Sequence, residues 1–286
     1  ELKRRTDDVS LPSLRELAER AARYVMAQQH ATLGGAINAS GRLCGEPWAG
    51  CPLSDAALQQ MVAVGREFMT SRTTTEPVTS DEVNQLLCRL TGADAALVVH
   101  SYSSALWLVL SALASGHKVL VARAEVGDID LGQPLPPLMA AAGVQLGEIG
   151  TTNHTTTADF ESSITPGVVA ILKVSTDDYR VVGQTLKAEW NELLETNRHH
   201  QLLSIDAMGA APLTNLTEMD LGPLCPVQQS ISAGVDVVLV RGDGLVGGPA
   251  CGIVLGKCGL IRRLASQPVF SALRLLAPRT AALLAT

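Results

Sequence analysis

The run Asp236-Val-Val-Leu-Val240 leads directly into Arg241-Gly-Asp-Gly-Leu-Val-Gly-Gly-Pro249. A short apolar run rich in branched residues predicts a buried strand. The four glycines that follow permit positive φ angles or a close approach of the backbone to a neighbour. The junction therefore predicts a strand that ends in a tight turn.

Similar apolar runs recur along the chain and alternate with helical stretches. The other predicted strands cover residues 95–99, 118–122, 145–149, 168–174, 202–206 and 252–255, and predicted helices between them include residues 103–114, 135–142 and 187–198. This alternation predicts an α/β domain with a mainly parallel, seven-stranded sheet between helices. The runs are apolar throughout, which is typical of strands covered on both faces.

The N-terminal part is expected to be helical. Apolar residues recur at helical spacing over residues 11–29, and further helices are predicted over residues 54–68 and 80–90. We expect an N-terminal helical segment over residues 1–36 and one large domain over residues 37–286.

The composition limits the possible functions. Apolar residues make up 47% of the 286 residues, enough for a sizeable core, and the net charge of −6 without a Lys/Arg-rich run disfavours a dedicated nucleic-acid binder. No stretch approaches the ~18 apolar residues of a membrane span, and no secretory signal is seen. The six cysteines form no Cys-x-x-Cys pair, so we predict no metal site. A cytoplasmic protein without membrane contact is expected.

Ligands of such sheets bind beyond the carboxyl ends of the strands. The segments that follow the predicted strands are therefore the candidate site. They cover residues 100–104, 123–130, 150–153, 175–179, 206–209 and 241–248.

The glycine-rich turn resembles Ser-Gly-Asp-Lys-Leu-Leu-Gly-Gly-Pro of the bacterial selenocysteine synthase (L-seryl-tRNA(Sec) selenium transferase) family. Other segments are similar to this family as well, and the resemblance spans roughly Ile37 to Thr286. They are Asn38-Ala-Ser-Gly41, Leu90-Thr-Gly-Ala-Asp-Ala-Ala-Leu-Val-Val99, Gly147-Glu-Ile-Gly-Thr-Thr-Asn153 and Ile171-Leu-Lys-Val174. The resemblance implies the large domain of a fold-type-I pyridoxal 5'-phosphate (PLP) transferase, with the family's C-terminal small domain absent or truncated.

The resemblance also implies cofactor-binding positions. Asp206 would pair with the pyridinium nitrogen of PLP, although a strand-end aspartate can also cap the next turn. His100 would stack on the ring. Arg241 can bind a phosphate or carboxylate, or fill space near the cofactor. Three serines could hold the PLP phosphate at a helix start, or serine could simply cap that helix: Ser101, Ser103 and Ser104.

The chain departs from the family where chemistry is concentrated. Gly244 stands at the position of the lysine that binds PLP in the family, and Lys173 is a weak candidate to replace it. The family's His-Thr-Asn-Leu-Gly segment reads Gly45-Glu-Pro-Trp-Ala49, and no basic residue remains in the loop over residues 73–79. Glycine supplies neither the covalent link nor a base.

Three functions are compatible with these observations. The first is a selenocysteine-synthase-like protein that is catalytically impaired or non-catalytic, a pseudoenzyme. The second is an active PLP-dependent transferase or lyase, of the L-seryl-tRNA(Sec) selenium transferase or amino-sugar-acid ammonia-lyase type, with non-covalent PLP or another lysine. The third is a tRNA-binding module, suggested by N-terminal Lys and Arg residues that acidic residues interrupt. The resemblance also implies a homo-oligomer, at least a dimer, or association with a related active chain.

Overall fold

The computed structural model describes residues 12–29, 35–41, 50–68, 81–130, 132–175, 179, 181–216 and 224–286. The chain divides into two compact units, Glu1–Arg42 and Leu43–Thr286. The segments 45–49 and 73–79, where the sequence departs from the family, lie outside the described residues.

The first unit contains the helix α1 (Leu14–Gln29). The Glu16 carboxylate accepts hydrogen bonds from the backbone N–H and hydroxyl of Ser13 at 2.8 and 2.9 Å, which stabilises the start of the helix. The exposed side chains of Arg15 and Glu19 form an ion pair at 3.2 Å, so this arginine is paired with one of the acidic residues that interrupt the basic ones.

The second unit alternates strands and helices along the chain. Its described strands are β1 (Ala95–Val99), β2 (Lys118–Ala122), β3 (Asp128–Asp130), β4 (Gln133–Pro134), β5 (Gln145–Ile149), β6 (Val168–Val174), β7 (Leu203–Ala207), β8 (Val237–Arg241) and β9 (Gly252–Gly256). Its described helices are α2 (Asp55–Gly65), α3 (Asp81–Thr91), α4 (Tyr102–Leu113), α5 (Leu135–Ala141), α6 (Thr157–Ser163), α7 (Trp190–His200), α8 (Val227–Ala233), α9 (Cys258–Ala265), α10 (Phe270–Leu273) and α11 (Ala277–Ala285).

Seven strands form one sheet in the order β1-β9-β8-β7-β6-β2-β5. Five neighbouring strands run parallel: β8, β7, β6, β2 and β5. The strand β9 is antiparallel to both of its neighbours, β1 and β8. The prediction of a mainly parallel, seven-stranded α/β sheet is confirmed. The small hairpin of β3 and β4 lies outside this sheet.

Both faces of the sheet are covered. Leu97 and Val99 point into one hydrophobic cluster, which includes α4 and α5, while Ala96 and Val98 belong to the other. Successive side chains of a strand point to opposite faces, so a strand buried on both sides reads as a continuous apolar run. No described helix is long and apolar enough to cross a membrane.

Helix ends differ from the prediction by a few residues. The helix predicted to begin at residue 103 begins at Tyr102, because the side chain of Ser101 caps it. The helix predicted over residues 187–198 is α7, which ends at His200. The short helices α6 and α8 contain seven residues each, too few to show a clear helical period in the sequence.

Candidate functional site

Most of the predicted site residues lie at the carboxyl edge of the sheet. Lys173 and Asp206 are direct neighbours in the register of β6 and β7. Arg241 ends β8, the next strand. His100 follows β1, which runs in the same direction as β8 because β9 is antiparallel to both.

Asp206 is a buried carboxylate with a defined partner. Its side chain is 5% exposed, and Oδ2 accepts a hydrogen bond of 2.7 Å from the hydroxyl of Ser230 on α8. Burial raises the pKa of Asp206, while the Ser230 hydrogen bond and the charge of Lys173 act in the opposite direction. The nearby indole N–H of Trp190 also lowers this pKa, yet it lies outside hydrogen-bonding geometry and has no partner among the described residues.

The ammonium of Lys173 is held at the start of α7. Its Nζ donates a hydrogen bond of 2.8 Å to the carbonyl of Ala188 and lies 3.9 Å from a carboxylate oxygen of Glu189. The same atom lies 5.6 Å from the centre of a Trp190 ring, within range of a cation–π contact. These three contacts hold Nζ within the chain, whereas an imine requires this atom to bond to the cofactor.

The serines of the predicted phosphate turn are engaged within the chain. Ser101 and Ser104 form a reciprocal capping box at the start of α4. The hydroxyl of Ser103 donates a hydrogen bond of 3.0 Å to Oδ2 of Asp130, and its backbone N–H lies 3.4 Å from the same oxygen. A carboxylate of the chain itself therefore lies at this helix end.

Arg241 is almost fully buried and faces two carboxylates. Its Nε and Nη2 donate to the oxygens of Asp243 at 3.3 and 3.2 Å, and Nη2 lies 3.7 Å from Oδ1 of Asp130. The side chains of the three residues are between 7% and 11% exposed. Ser103, Asp130, Arg241 and Asp243 thus form one connected polar group, called here the Asp130–Arg241 network.

The glycine-rich turn folds back on itself between β8 and β9. The backbone N–H of Gly248 donates to the carbonyl of Gly242 at 2.8 Å, and Gly247 has a φ of 76°, which disfavours other residues. At Gly244 a Cβ atom would lie 2.8 Å from both Cα and Cβ of Ala210. The position that resembles the family's lysine position is therefore packed directly against the loop that follows β7.

His100 lies at the surface next to the end of α10. Its Nδ1 is 3.3 Å from the carbonyl of Leu273, and its backbone N–H donates to the same oxygen at 2.9 Å. The ring is exposed, and its predicted stacking on a cofactor stays a prediction. No group of three or more potential metal ligands occurs among the described residues.

Several polar residues of the edge were not singled out from the sequence. Asp130 and Glu125 lie in the predicted segment 123–130, but nothing in the sequence shows which of its acidic residues turn inward. Glu125 is buried, accepts a hydrogen bond of 3.3 Å from the backbone of Val174, and has a pKa that burial raises and Lys173 lowers. Ser230 lies on α8, 24 residues beyond its partner Asp206, so only the fold brings the two together.

Solved structures share this fold. D-Glucosaminate-6-phosphate ammonia-lyase superposes with a TM-score of 0.65 and 17% identity over 81% of this chain and 62% of the lyase. An aspartate aminotransferase from Thermus thermophilus gives a TM-score of 0.58 and 14% identity over 82% of this chain and 64% of the aminotransferase. The sheet and its helices have the α/β fold of the fold-type-I PLP-dependent enzymes.

Sequence comparison identifies the family within this class. The L-seryl-tRNA selenium transferase profile matches residues 56–286. The L-seryl-tRNA(Sec) selenium transferase of Geotalea uraniireducens is 39% identical over 68% of this chain and 42% of the relative, and that of Desulfomicrobium baculatum is 32% identical over 98% and 61%. The chain belongs to the L-seryl-tRNA selenium transferase family. The matches cover 42% and 61% of these two relatives' own lengths.

Proposed function

We propose that this chain is a member of the selenium transferase family that does not attach PLP through a lysine and does not catalyse amino-acid turnover. In this proposal the fold is kept as a scaffold for association with a second copy or a related active chain. The proposed large domain covers residues 37–286, after an N-terminal helical segment over residues 1–36.

The contact between Gly244 and Ala210 carries the proposal. The atoms that a Cβ would meet at 2.8 Å include a backbone atom, which cannot move without shifting the loop after β7. The protein has therefore not merely lost a side chain, because the space where one would begin is filled. A lysine-held cofactor does not fit this position.

The remaining residues fit the cofactor unevenly. Asp206 is buried at a strand end, where a carboxylate can pair with a ring nitrogen. Lys173, the alternative lysine, has its ammonium bound to Ala188 and Glu189. At the helix end proposed for the phosphate, Ser103 already bonds to Asp130. Of the three groups that would hold PLP, the lysine and the helix end for the phosphate thus already have other partners within the chain.

Non-covalent PLP binding by an active transferase or lyase is the second candidate. The observation that favours it is the Asp206–Ser230 hydrogen bond of 2.7 Å, which keeps a carboxylate oriented at the carboxyl edge of the sheet. In this case Asp206 would hold the proton of the ring nitrogen, and the cofactor would supply the electron sink.

An assay of amino-acid turnover separates the two candidates. The purified chain is incubated with PLP and, in separate reactions, with L-serine and with an amino-sugar acid, and the release of ammonia is compared with that of PLP alone. The proposal expects no rate above free PLP. A higher rate that Asp206→Ala abolishes would establish the second candidate instead, and a higher rate that Lys173→Ala abolishes would indicate a relocated lysine.

Association is a separate part of the proposal. Leu58 and Val62 on α2 are 44% and 49% exposed, and together they leave an apolar strip on a helix that packs against α11. Light scattering at several concentrations is expected to give at least a dimer, which Leu58→Glu with Val62→Glu weakens. A monomer at all concentrations would contradict self-association.

A further inference from the structure

A small cavity lies at the carboxyl edge of the sheet, where the connections after β2 and β5 meet β6 and the segment before α7. Its volume of about 10 Å³ is at the lower end of the ~10–15 Å³ that one water molecule requires. Three buried residues form its apolar wall: Ala122, Phe160 and Ala188. The cavity therefore has room for one molecule of the size of water.

The hydroxyl of Thr155 lines this cavity and has no hydrogen-bond partner among the described residues. Thr155 is 2% exposed, so bulk solvent does not reach it. Its backbone N–H donates to the carbonyl of Leu186 at 2.9 Å, and Gly150 packs so closely against the hydroxyl that no Cβ would fit between them. A buried hydroxyl without a partner is unfavourable, so this group requires a donor or acceptor inside the cavity.

Glu125 lines the same cavity from the connection after β2. Its Oε2 accepts a hydrogen bond of 3.3 Å from the backbone N–H of Val174. A carboxylate has about four acceptor sites, so this single bond leaves capacity for a further donor. A water molecule that accepts from the hydroxyl of Thr155 can donate to Glu125, and it thereby satisfies both groups.

The charges around the cavity favour a neutral occupant. Lys173 and Lys187 line it together with Glu125. Burial raises the pKa of Glu125, and the charges of the two lysines act in the opposite direction. The lysines would repel a cation of similar size, such as ammonium, and a charged Glu125 would repel chloride. Water donates and accepts hydrogen bonds without adding a charge.

We infer that this cavity is a hydration site, in which one bound water links the hydroxyl of Thr155 to the carboxyl group of Glu125. The water joins the connections after β2 and β5, and the hydrogen bond from Val174 attaches Glu125 to β6. The site goes beyond the proposed function and does not depend on it, because an inactive scaffold and an active enzyme would both contain it.

Thermal unfolding of Thr155→Val tests the site, because valine keeps the shape of threonine and replaces the hydroxyl with a methyl group. The Tm is expected to fall by about 2–4 °C, since a hydrogen bond to the water is lost. Thr196→Val is the matched control: Thr196 is also buried, and its hydroxyl donates to Glu161 at 3.0 Å, so its Tm should fall by at least as much.

The opposite sign would overturn the inference. If the hydroxyl of Thr155 had no partner at all, its removal would stabilise the protein and raise the Tm. A rise, or a change of less than about 1 °C, would therefore mean that no water is bound to Thr155.

A high-resolution crystal structure of the wild-type chain gives a second test, which does not require a variant to fold. One density peak is expected within about 3.2 Å of both the hydroxyl of Thr155 and a carboxylate oxygen of Glu125. The absence of this peak would overturn the inference. A peak that gains an anomalous signal after a soak in sodium bromide would show a halide and would overturn it as well. Amino-acid turnover by the chain would refute the proposed function and leave the hydration site unaffected.

Discussion

Gly244 and Ala210 are packed so closely that a Cβ on the glycine would lie 2.8 Å from both Cα and Cβ of the alanine. The two residues belong to the turn after β8 and the loop after β7, neighbouring parallel strands of the sheet. Their contact joins these connections at the edge where ligands of such sheets bind. A glycine at position 244 is therefore required by packing in this chain.

A side chain at position 244 should destabilise the protein. Gly244→Ala is expected to lower the free energy of unfolding by about 1–3 kcal/mol, because the new methyl group overlaps the Ala210 backbone. Gly259→Ala is the control: it lies in α9 with no atom within 4 Å of the added Cβ, and should be neutral or stabilising by up to about 1 kcal/mol. Urea denaturation measures both. Equal stability of Gly244→Ala and wild type would refute the packing argument.

The contact between Ser103 and Asp130 should appear as a coupling energy. In a double-mutant cycle with Ser103→Ala and Asp130→Ala, we expect about 1–2 kcal/mol of interaction, since the hydrogen bond involves a charged acceptor. The same cycle with Ser103→Ala and Asp243→Ala should give less than about 0.5 kcal/mol. Similar values in the two cycles would show that the hydrogen bond to Asp130 is not specific.

Asp206 should make stability depend on pH in a defined direction. Its pKa is raised by burial, so between its ordinary value of about 4 and its folded value the folded chain binds more protons than the unfolded chain. Stability therefore falls as pH rises through that window, and the cost remains above it. Asp206→Asn is expected to flatten this part of the curve of unfolding free energy against pH. Glu125, whose pKa is also raised by burial, acts in the same direction.

Asp236 is the control for Asp206, because its pKa is shifted in the opposite direction. Burial alone would raise its pKa, but hydrogen bonds from Lys257 and Ser204 outweigh burial and lower it. Its contribution to stability is present above a pH of about 4 and is lost as pH falls through the lowered folded pKa. Asp236→Asn should therefore flatten the acid side of the curve. If Asp206→Asn flattened the acid side as well, the direction assigned to Asp206 would be wrong.

The thiol of Cys251 should be unreactive towards alkylating reagents in the folded protein. Burial raises the pKa of its thiol to about 12, and the thiolate is the reactive form. Iodoacetamide at pH 8 is expected to leave Cys251 unmodified until the chain is unfolded in urea, as read by peptide mass spectrometry. Rapid labelling of Cys251 in the native protein would show that the turn over residues 242–248 opens.

The sheet could be predicted because its strands are buried on both faces. The predicted runs from 95–99 to 252–255 are mainly apolar, and each forms a strand of the seven-stranded sheet; the most polar run, Gln145–Ile149, forms its partly exposed edge strand β5. Gly244 could be singled out because it stands at the lysine position of the family's glycine-rich motif. Its contact with Ala210 could not be predicted, because it depends on how two loops more than 30 residues apart meet.

The polar contacts of the site could not be predicted from the sequence for a related reason. Ser101, Ser103 and Ser104 form one short motif, yet two of them cap α4 and the other bonds to Asp130, 27 residues away. Local sequence shows that hydroxyl groups stand at a helix start, but not which group will reach them. The same holds for Arg241, whose carboxylate partners come from its own turn and from β3.

Covalent labelling with PLP tests whether any lysine of this chain holds the cofactor. The purified chain is mixed with PLP, its visible spectrum is recorded, and the sample is reduced with borohydride and mapped by peptide mass spectrometry, with Lys173→Arg alongside. We expect no imine absorbance band and only trace label spread over exposed lysines, unchanged in Lys173→Arg. Complete labelling of a single lysine, at Lys173 or elsewhere, would contradict it and would make this chain a PLP enzyme with a relocated lysine.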